Sequence, residues 1–302
     1  MAVLVWLVAL APDGLAYHDG TSDRASRGLY IPVATRGSGP INLYAEEYGQ
    51  GRPVLLLHGL AASTYSWRRI VHQLARRNRV IALDLKGFGR SDKPFDTAYT
   101  PADHADAVVA FIRKTRLRRL TLVGHSYGGA IALLVADRLR RAGEGQRLRD
   151  LVIMGAPAYP QKPTAFIGFM SLPVLPYAVL SSVPPELTVW AQTAPEFSLS
   201  MAEIHAYARP YWSAAARHAL ITTSRQIVPD NISEVLGGYR RVSQPVLLVW
   251  CRDDETVPVS TGRLLARAMP NARLKLLNGC LHSPQDEQPA HLLRLLKPFL
   301  RN

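Results

Sequence analysis

A serine framed by glycines, a later pair of carboxylates and a still later histidine are the residues of this chain that could do covalent chemistry. Ser126 stands in VGHSYGG (Val123–Gly129), Asp254 in CRDDETVP (Cys251–Pro258) and His282 in NGCLHSP (Asn278–Pro284). A serine hydroxyl is a poor nucleophile at its own pKa. A histidine within reach can take its proton, and a carboxylate on the far ring nitrogen fixes the tautomer and stabilises the imidazolium. The chain order Ser126, Asp254, His282 is the one expected when the serine sits on a sharp turn between a strand and a helix. Nine histidines compete for the role of base. Only His282 follows a strand pattern beyond the acid loop; His72 and His291 lie on helical patterns, and His205 and His218 in a proline-rich stretch.

The flanking segments have the character such a turn needs. Leu120–Val123 is an apolar strand pattern and Ala130–Leu139 an apolar helical one, so Ser126 lies where the two meet. Gly124 and Gly128, two residues to either side, leave room for strand and helix to close together. The N–H of Tyr127 then opens the helix, where the dipole favours an oxyanion beside the serine. A second donor is expected from Pro53–Leu57, a continuous apolar run suited to a buried parallel strand, which ends in His58-Gly59-Leu60. The N–H of Leu60 is that donor, and His58 is expected to hold the loop through its ring. Asp84, in DLKGFGRSDKP (Asp84–Pro94), precedes the serine on another strand end and reads as a hydrogen-bonding brace.

Taken in order, the chain alternates strand and helix. Residues 13–40 read as a mostly irregular approach with one strand at Leu29–Val33, and Asn42–Tyr48 alternates like an edge strand. A helix at Trp67–Ala75, a strand at Val80–Leu83 and a helix from Thr100 to about Arg116 follow, the last opened by a threonine cap, a first-turn proline and Asp103. The helix after Ser126 ends near Gly143, and Leu148–Met154 is another apolar strand. From Tyr159 to about Ile227 the alternation stops, and prolines, aromatics and apolar runs (AFIGFM, LPVLPYAVL, ELTVWA) take over. This stretch reads as an inserted cap on the Ser126 side, its apolar content lining a substrate pocket or packing its own core. Alternation resumes with a helix at Ser233–Arg241, strands at Pro245–Trp250 and Arg273–Leu277 about a helix at Thr261–Ala268, and a last helix at Pro289–Leu300. The domain reading is therefore 1–40 for an apolar segment and approach, 41–157 with 228–302 for an α/β core, and 158–227 for the cap.

The formal charge of +13 on 302 residues raises nucleic acid, anionic membrane and acidic substrates as partners. The arginines cluster at Arg76–Arg79, Arg113–Arg119 and Arg138–Arg149, each between a helical pattern and the next strand. In an open parallel sheet those connections lie opposite the ligand-binding carboxyl ends, so the basic face is expected away from Ser126. Solvated arginines complementing helix ends account for it, with peripheral contact to an anionic surface as the alternative. Aromatic interleaving for base stacking and zinc-ligand spacing are both missing, which argues against nucleic acid and metal. The opening MAVLVWLVALA is too short to span a bilayer. It reads either as a truncated leader or as an apolar arm, so cytoplasmic and exported locations both stay open.

With these motifs in hand, residues 42–300 resemble the α/β-hydrolase fold family, in its capped esterase and lipase-like branch. The resemblance rests on LLLHGL, DLKGFGRSDKP, VGHSYGG, VWCRDDETVP and LHSPQDEQP, in the family's order. It implies a mostly parallel, doubly wound central sheet flanked by helices, with an inserted, mainly helical cap. It also implies a cofactor-free serine hydrolase acting on small-molecule esters with an apolar acyl or alcohol group. The family's acid motif selects Asp254 over its neighbour Asp253. Serine at the elbow departs from the aspartate of epoxide hydrolases and haloalkane dehalogenases, and GHSYGG from the GNSxGG of carbon–carbon hydrolases, which moves the expectation toward esters. Carbon–carbon or amide hydrolysis, acyl transfer, or a non-catalytic ligand-binding or scaffold role remain the alternatives. Where the family usually has glycine, this chain has Cys251 and Leu281. Cys251 and Cys280, its only cysteines, end strands expected to be neighbours, within reach of a disulfide joining the acid and histidine loops. Two buried thiols are the alternative in a reducing compartment.

Overall fold

The computed structural model describes residues 27–193, 199–229 and 231–301. The apolar segment at residues 1–11 lies outside them, as does the leader-or-arm question. Strands β1 (Arg27–Thr35), β2 (Gly39–Tyr48), β3 (Arg52–Leu57), β4 (Asn78–Leu83), β5 (Leu120–His125), β6 (Leu148–Met154), β7 (Val246–Cys251) and β8 (Ala272–Leu277) form one sheet in the order β1-β2-β4-β3-β5-β6-β7-β8. The first two strands are antiparallel additions and the rest run parallel. The chain winds outward in both directions from β3 and β5, and the crevice at their carboxyl ends is where an open α/β sheet binds its ligands.

The helices are α1 (Val71–Ala75), α2 (Pro101–Lys114), α3 (Tyr127–Arg141), α4 (Ala165–Met170), α5 (Leu175–Ser182), α6 (Pro185–Thr193), α7 (Met201–Ala208), α8 (Ala214–Arg225), α9 (Ile232–Tyr239), α10 (Val259–Ala268), α11 (Pro284–Glu287) and α12 (Pro289–Arg301). They cover both faces of the sheet, which is why its strands are near-continuous apolar runs. Leu55, Leu57, Ile81, Leu122 and Leu151 point toward α2 and α3, whereas Val54, Leu56, Val80, Val123 and Val152 pack against Trp67, Leu74 and α12. The start of α2 is fixed by a full capping box, Thr100 Oγ1 accepting from the Asp103 N–H and the Asp103 carboxylate from the Thr100 N–H.

Two expectations need correction. The approach is more ordered than its composition suggests, because β1 is a nine-residue strand paired along its whole length with β2. It follows that β2 is an inner strand rather than an edge. Its alternation, with Ile41, Leu43 and Ala45 buried and Asn42 exposed, records one covered face and says nothing about free hydrogen bonds. The single helix expected over Trp67–Ala75 is instead a 3-10 turn at Thr64–Trp67 followed by α1.

The arginine-rich connections do sit at the amino ends of β4, β5 and β6, away from Ser126. Much of that charge is paired locally: Arg113 and Arg147 share Glu144, Arg138 meets Asp106, Arg140 and Arg141 share Asp137, and Arg149 meets Asp150.

Between β6 and α9 the described residues form five helices, α4 to α8, in place of a strand. They and the segment leading into α4 touch the loops beyond the carboxyl ends of four strands. Arg68, after β3, meets Glu203 of α7; the His218 ring bonds the Asp96 carbonyl after β4; Gln161 donates to the Thr256 carbonyl after β7; and Tyr207 donates to Asp286 beyond β8. Met170, Leu180 and Tyr211 continue the main core, so part of the apolar content of this stretch is its own packing.

Cys251, at the end of β7, and Cys280, just beyond β8, are joined by a disulfide with Cα atoms 5.3 Å apart. The bridge closes a loop with a sequence separation of 29 and links the segments carrying Asp254 and His282. In the chain-entropy account a loop of that size stabilises by roughly 3 to 4 kcal/mol. Replacing both cysteines with alanine is expected to lower unfolding stability by about that amount in denaturant titrations. Thiol titration of the denatured, unreduced protein is expected to find no free thiol.

Candidate active site

The turn at Ser126 is built by backbone contacts that only glycine allows. A Cβ on Gly124 would lie 2.3 Å from the Gly128 carbonyl oxygen, and one on Gly128 would lie 2.3 Å from that of Leu57. Helix α3 therefore presses its first turn against the ends of β5 and β3. Ser126 itself is held at φ 51°, ψ −123°, a region that a residue with a side chain rarely occupies. The cost is met by a close-packed surround, including a hydrogen bond from the Ser126 N–H to the Met154 carbonyl at 2.8 Å.

The three residues singled out by type and order meet here. Ser126 Oγ donates to His282 Nε2 at 3.0 Å, and His282 Nδ1 donates to Asp254 Oδ2 at 2.9 Å. Asp254 is buried and also accepts from the Val257 N–H at 2.7 Å, while Asp253 is exposed. A carboxylate so placed fixes the imidazole with its lone pair toward the serine. The loop His58-Gly59-Leu60 lies on the other side of the serine: a Cβ on Gly59 would be 3.2 Å from that of Ser126. The N–H of Tyr127 opens α3, where the first turn has no carbonyl of its own to use. Leu60, next to Gly59, and Tyr127, next to Ser126, stand on the two elements expected.

His58 and Asp84 have the supporting contacts foreseen for them. The Leu85 N–H donates to His58 Nε2 at 3.0 Å, which leaves Nδ1 to donate to the Gly59 carbonyl at 2.8 Å. Asp84 accepts from the Thr64 N–H at 2.6 Å and the Arg90 N–H at 2.7 Å, tying the loops after β3 and β4. Burial pushes its carboxyl up to about 6, against the pull of those two donors.

Four further residues around the site were not singled out in advance. Glu287 accepts from the N–H groups of Leu281, His282 and Ser283 at 2.7, 2.9 and 2.6 Å. The histidine loop is thereby held by a carboxylate, although leucine replaces the usual glycine before His282. His125 donates through Nε2 to the His282 carbonyl at 3.0 Å and accepts at Nδ1 from Gln285 at 3.2 Å. Gly155, at φ 51° beyond β6, takes a conformation that favours glycine, and a Cβ there would press on the pair, 3.2 Å from Asp254 Oδ2 and 3.3 Å from His282 Cε1. Glu287 and Gln285 stand within five residues of His282, a spacing that hints at loop bracing. Nothing local marks Gly155.

Comparison with known proteins gives concordant findings. A family model described as "alpha/beta hydrolase fold" matches residues 52–174. The chain is 29% identical over 280 residues to a 2-hydroxy-6-oxo-2,4-heptadienoate hydrolase of Pseudomonas putida, covering 87% of this chain and 94% of that protein. It is 28% identical over 257 residues to a 2-hydroxymuconate semialdehyde hydrolase of a Pseudomonas species, covering 83% and 88%. Among solved structures, an alpha/beta hydrolase fold protein from Burkholderia ambifaria superposes with a TM-score of 0.77 at 24% identity, over 91% of this chain and 99% of that one.

Three fully buried imidazoles near the site stay neutral at ordinary pH. Burial pushes His58 down to about 4 and His104 and His125 to about 3, with Lys86 adding to the effect at His104 and His282 at His125. Between those values and the unfolded value near 6.5, only the unfolded chain takes up these protons, so stability falls as pH drops through that window. Asp84 opposes this below about pH 6, because its carboxyl is protonated in the folded state before the unfolded one. The net of these four groups is about two protons, or roughly 2.7 kcal/mol per pH unit. His104→Phe is expected to lower the slope by about one proton, roughly 1.4 kcal/mol per pH unit, in denaturant titrations between pH 6 and 4.5.

Proposed function

The chain belongs to the α/β-hydrolase fold family, and from that premise we propose that it is a serine hydrolase cleaving small carboxylic esters through an acyl-enzyme. The observation that carries the reading is the unbroken hydrogen-bonded run from Ser126 Oγ through His282 to Asp254. Ser126 attacks the ester carbonyl while His282 Nε2 takes its proton. Asp254 stabilises the imidazolium that forms, and the N–H groups of Leu60 and Tyr127 hold the oxyanion. His282 then protonates the leaving alcohol, and a water molecule, activated by the same imidazole, releases the acid and restores the serine. No metal or cofactor is called for in this sequence of steps.

The five-helix insertion is read as the cap of the site, spanning residues 158–227 of a core made by 41–157 and 228–302. Its contacts with the loops after β3, β4 and β7 and with the His282 segment support that reading. Phe166, Phe169 and Tyr177 on its inner side are only partly buried, in keeping with an apolar acyl or alcohol group. The preference for esters rests on GHSYGG. A second reading, hydrolysis of a carbon–carbon bond in a vinylogous diketone by the same residues, is favoured by the names of the two Pseudomonas relatives.

Ser126→Ala is expected to lower kcat on p-nitrophenyl esters by at least about 10⁴-fold with an unchanged unfolding midpoint, and to abolish labelling by a fluorophosphonate. Wild-type protein that takes the label but turns over only the diketone would replace the first reading with the second. Wild-type protein that takes no label and hydrolyses neither would remove both.

A further inference from the structure

The two N–H groups assigned to the oxyanion are fixed in different ways. That of Tyr127 opens α3, and the helix sets its direction. That of Leu60 belongs to a loop, where it meets no acceptor among the described residues. Residues 59–62 form a turn closed by the Ala62 N–H on the Gly59 carbonyl at 3.3 Å, a long bond. Ala61, its third residue, is held at φ 60°, whereas Leu60 is not among the residues of positive φ, which makes the turn type II. A residue with a side chain is strained at that third position. A strained turn closed by one long bond does not by itself fix the peptide unit joining Gly59 to Leu60.

His58 supplies the missing constraint. Its side chain is wholly buried, edge to face with the Phe88 ring, and its carbonyl oxygen lies where a Cβ on Gly128 would come within 2.4 Å, so α3 presses on its backbone. The Leu85 N–H donates to Nε2 at 3.0 Å. A ring nitrogen that accepts carries no proton, so the proton of the neutral ring is on Nδ1, from which it is donated to the Gly59 carbonyl at 2.8 Å. Burial, which pushes this imidazole down to about 4, keeps it neutral and the tautomer intact at ordinary pH. A peptide unit is planar and trans, so its carbonyl and N–H point in opposite directions. The ring that holds the Gly59 oxygen thereby aims the Leu60 N–H away from His58. This unit stands beside the serine, since a Cβ on Gly59 would be 3.2 Å from that of Ser126. Were the unit to rotate, a carbonyl oxygen would take the place of the N–H and repel the charge that the N–H attracts.

We propose that His58 is a positioning residue for ester cleavage: held as the Nδ1–H tautomer by the Leu85 N–H, its ring locks the Gly59–Leu60 peptide with the Leu60 N–H turned toward the oxyanion. The proposal rests on the reading of Ser126 as the nucleophile and of Leu60 as an oxyanion donor. His58 acts through that peptide and carries no proton in the reaction, because His282 already meets the serine hydroxyl. The loop after β4, which supplies the Leu85 N–H, thus sets the state of the loop after β3.

The test compares the parent with His58→Leu and His58→Asn on p-nitrophenyl esters. Leucine removes both ring bonds, and kcat is expected to fall by about 10²-fold, the cost of losing one oxyanion donor, with KM within about threefold of the parent. Asparagine can place an amide N–H where Nδ1 stands, and is expected to recover about tenfold of that loss. Affinity for phenylboronic acid, whose adduct with Ser126 Oγ puts an anionic oxygen in the same place, should fall in step with kcat. A brace for folding alone would lower the unfolding midpoint of His58→Leu and leave its kcat and boronate affinity at the parent's values. That result would overturn the proposal while the ester reading stands. Parent protein that hydrolyses no ester and takes no fluorophosphonate label would remove the reading, and the proposal with it. If neither variant folds, imidazole nitrogen NMR of the parent gives the answer: the His58 proton is expected on Nδ1 near neutral pH, and a proton on Nε2 would overturn the proposal.

Discussion

How closely α3 can approach β3 and β5 governs the rest of the structure. The contacts at Gly124 and Gly128 leave no space for a single added carbon, because the atoms in the way are backbone carbonyls that cannot rotate aside. That approach forces the chain to reverse within one residue, which puts Ser126 into a left-handed conformation and turns its hydroxyl out of the sheet. It also brings the first N–H groups of α3 beside the loop from β3, where Gly59 almost touches Ser126. Serine, helix terminus and flanking loop are thus set by one steric condition. A residue with a Cβ at either glycine would move all three together.

The carboxylate and imidazole are held by other means, because they come from the far side of the crevice. Asp254 and His282 stand on loops after neighbouring strands, and those loops are cross-linked at their bases by Cys251 and Cys280. Above the bridge, the Glu287 carboxylate gathers three successive N–H groups around His282. His125 holds the His282 carbonyl from the strand that delivers the serine. The imidazole is therefore positioned against both Ser126 and Asp254 by bonds to its backbone, so its ring nitrogens are left to those two partners. Gly155 shows the same economy of space: a side chain there would press on both the carboxylate and the imidazole.

Much of this was legible in the sequence because the signals are local. Strand β6 and helix α2 appear where apolar runs and a capping box put them, and the glycine spacing around Ser126 has one steric explanation. The histidine was found by its place after the last strand, and Asp254 by family resemblance. What could not be read depends on residues distant in the chain. Only the register of β5 beside β6 and β7 reveals that Gly155 faces Asp254. Strand β1 was underestimated because its stability comes from full-length pairing with β2, while its own composition, with Gly28 and Pro32, resembles a loop. The 3-10 turn at Thr64 arises where the Ser63 side chain caps the chain early, which helical periodicity over Trp67–Ala75 does not disclose.

One cation joins the insertion to the machinery beneath it. Arg68, after β3, is stacked against Tyr65 and held between Glu203 of α7 and Asp286, four residues beyond His282. Tyr207 of the same helix donates to that aspartate as well. Displacing α7 from the core would leave Arg68 with a single carboxylate and strip Asp286 of one donor, in a setting where both side chains are largely withdrawn from water. Unpaired buried charge is costly to leave behind, far more so than an exposed ion pair is to break. The helices that cover the loops and the segment that carries His282 are consequently bound to the same guanidinium. A shift of α7 would therefore disturb, through Arg68 and Asp286, the segment on which the imidazole is mounted.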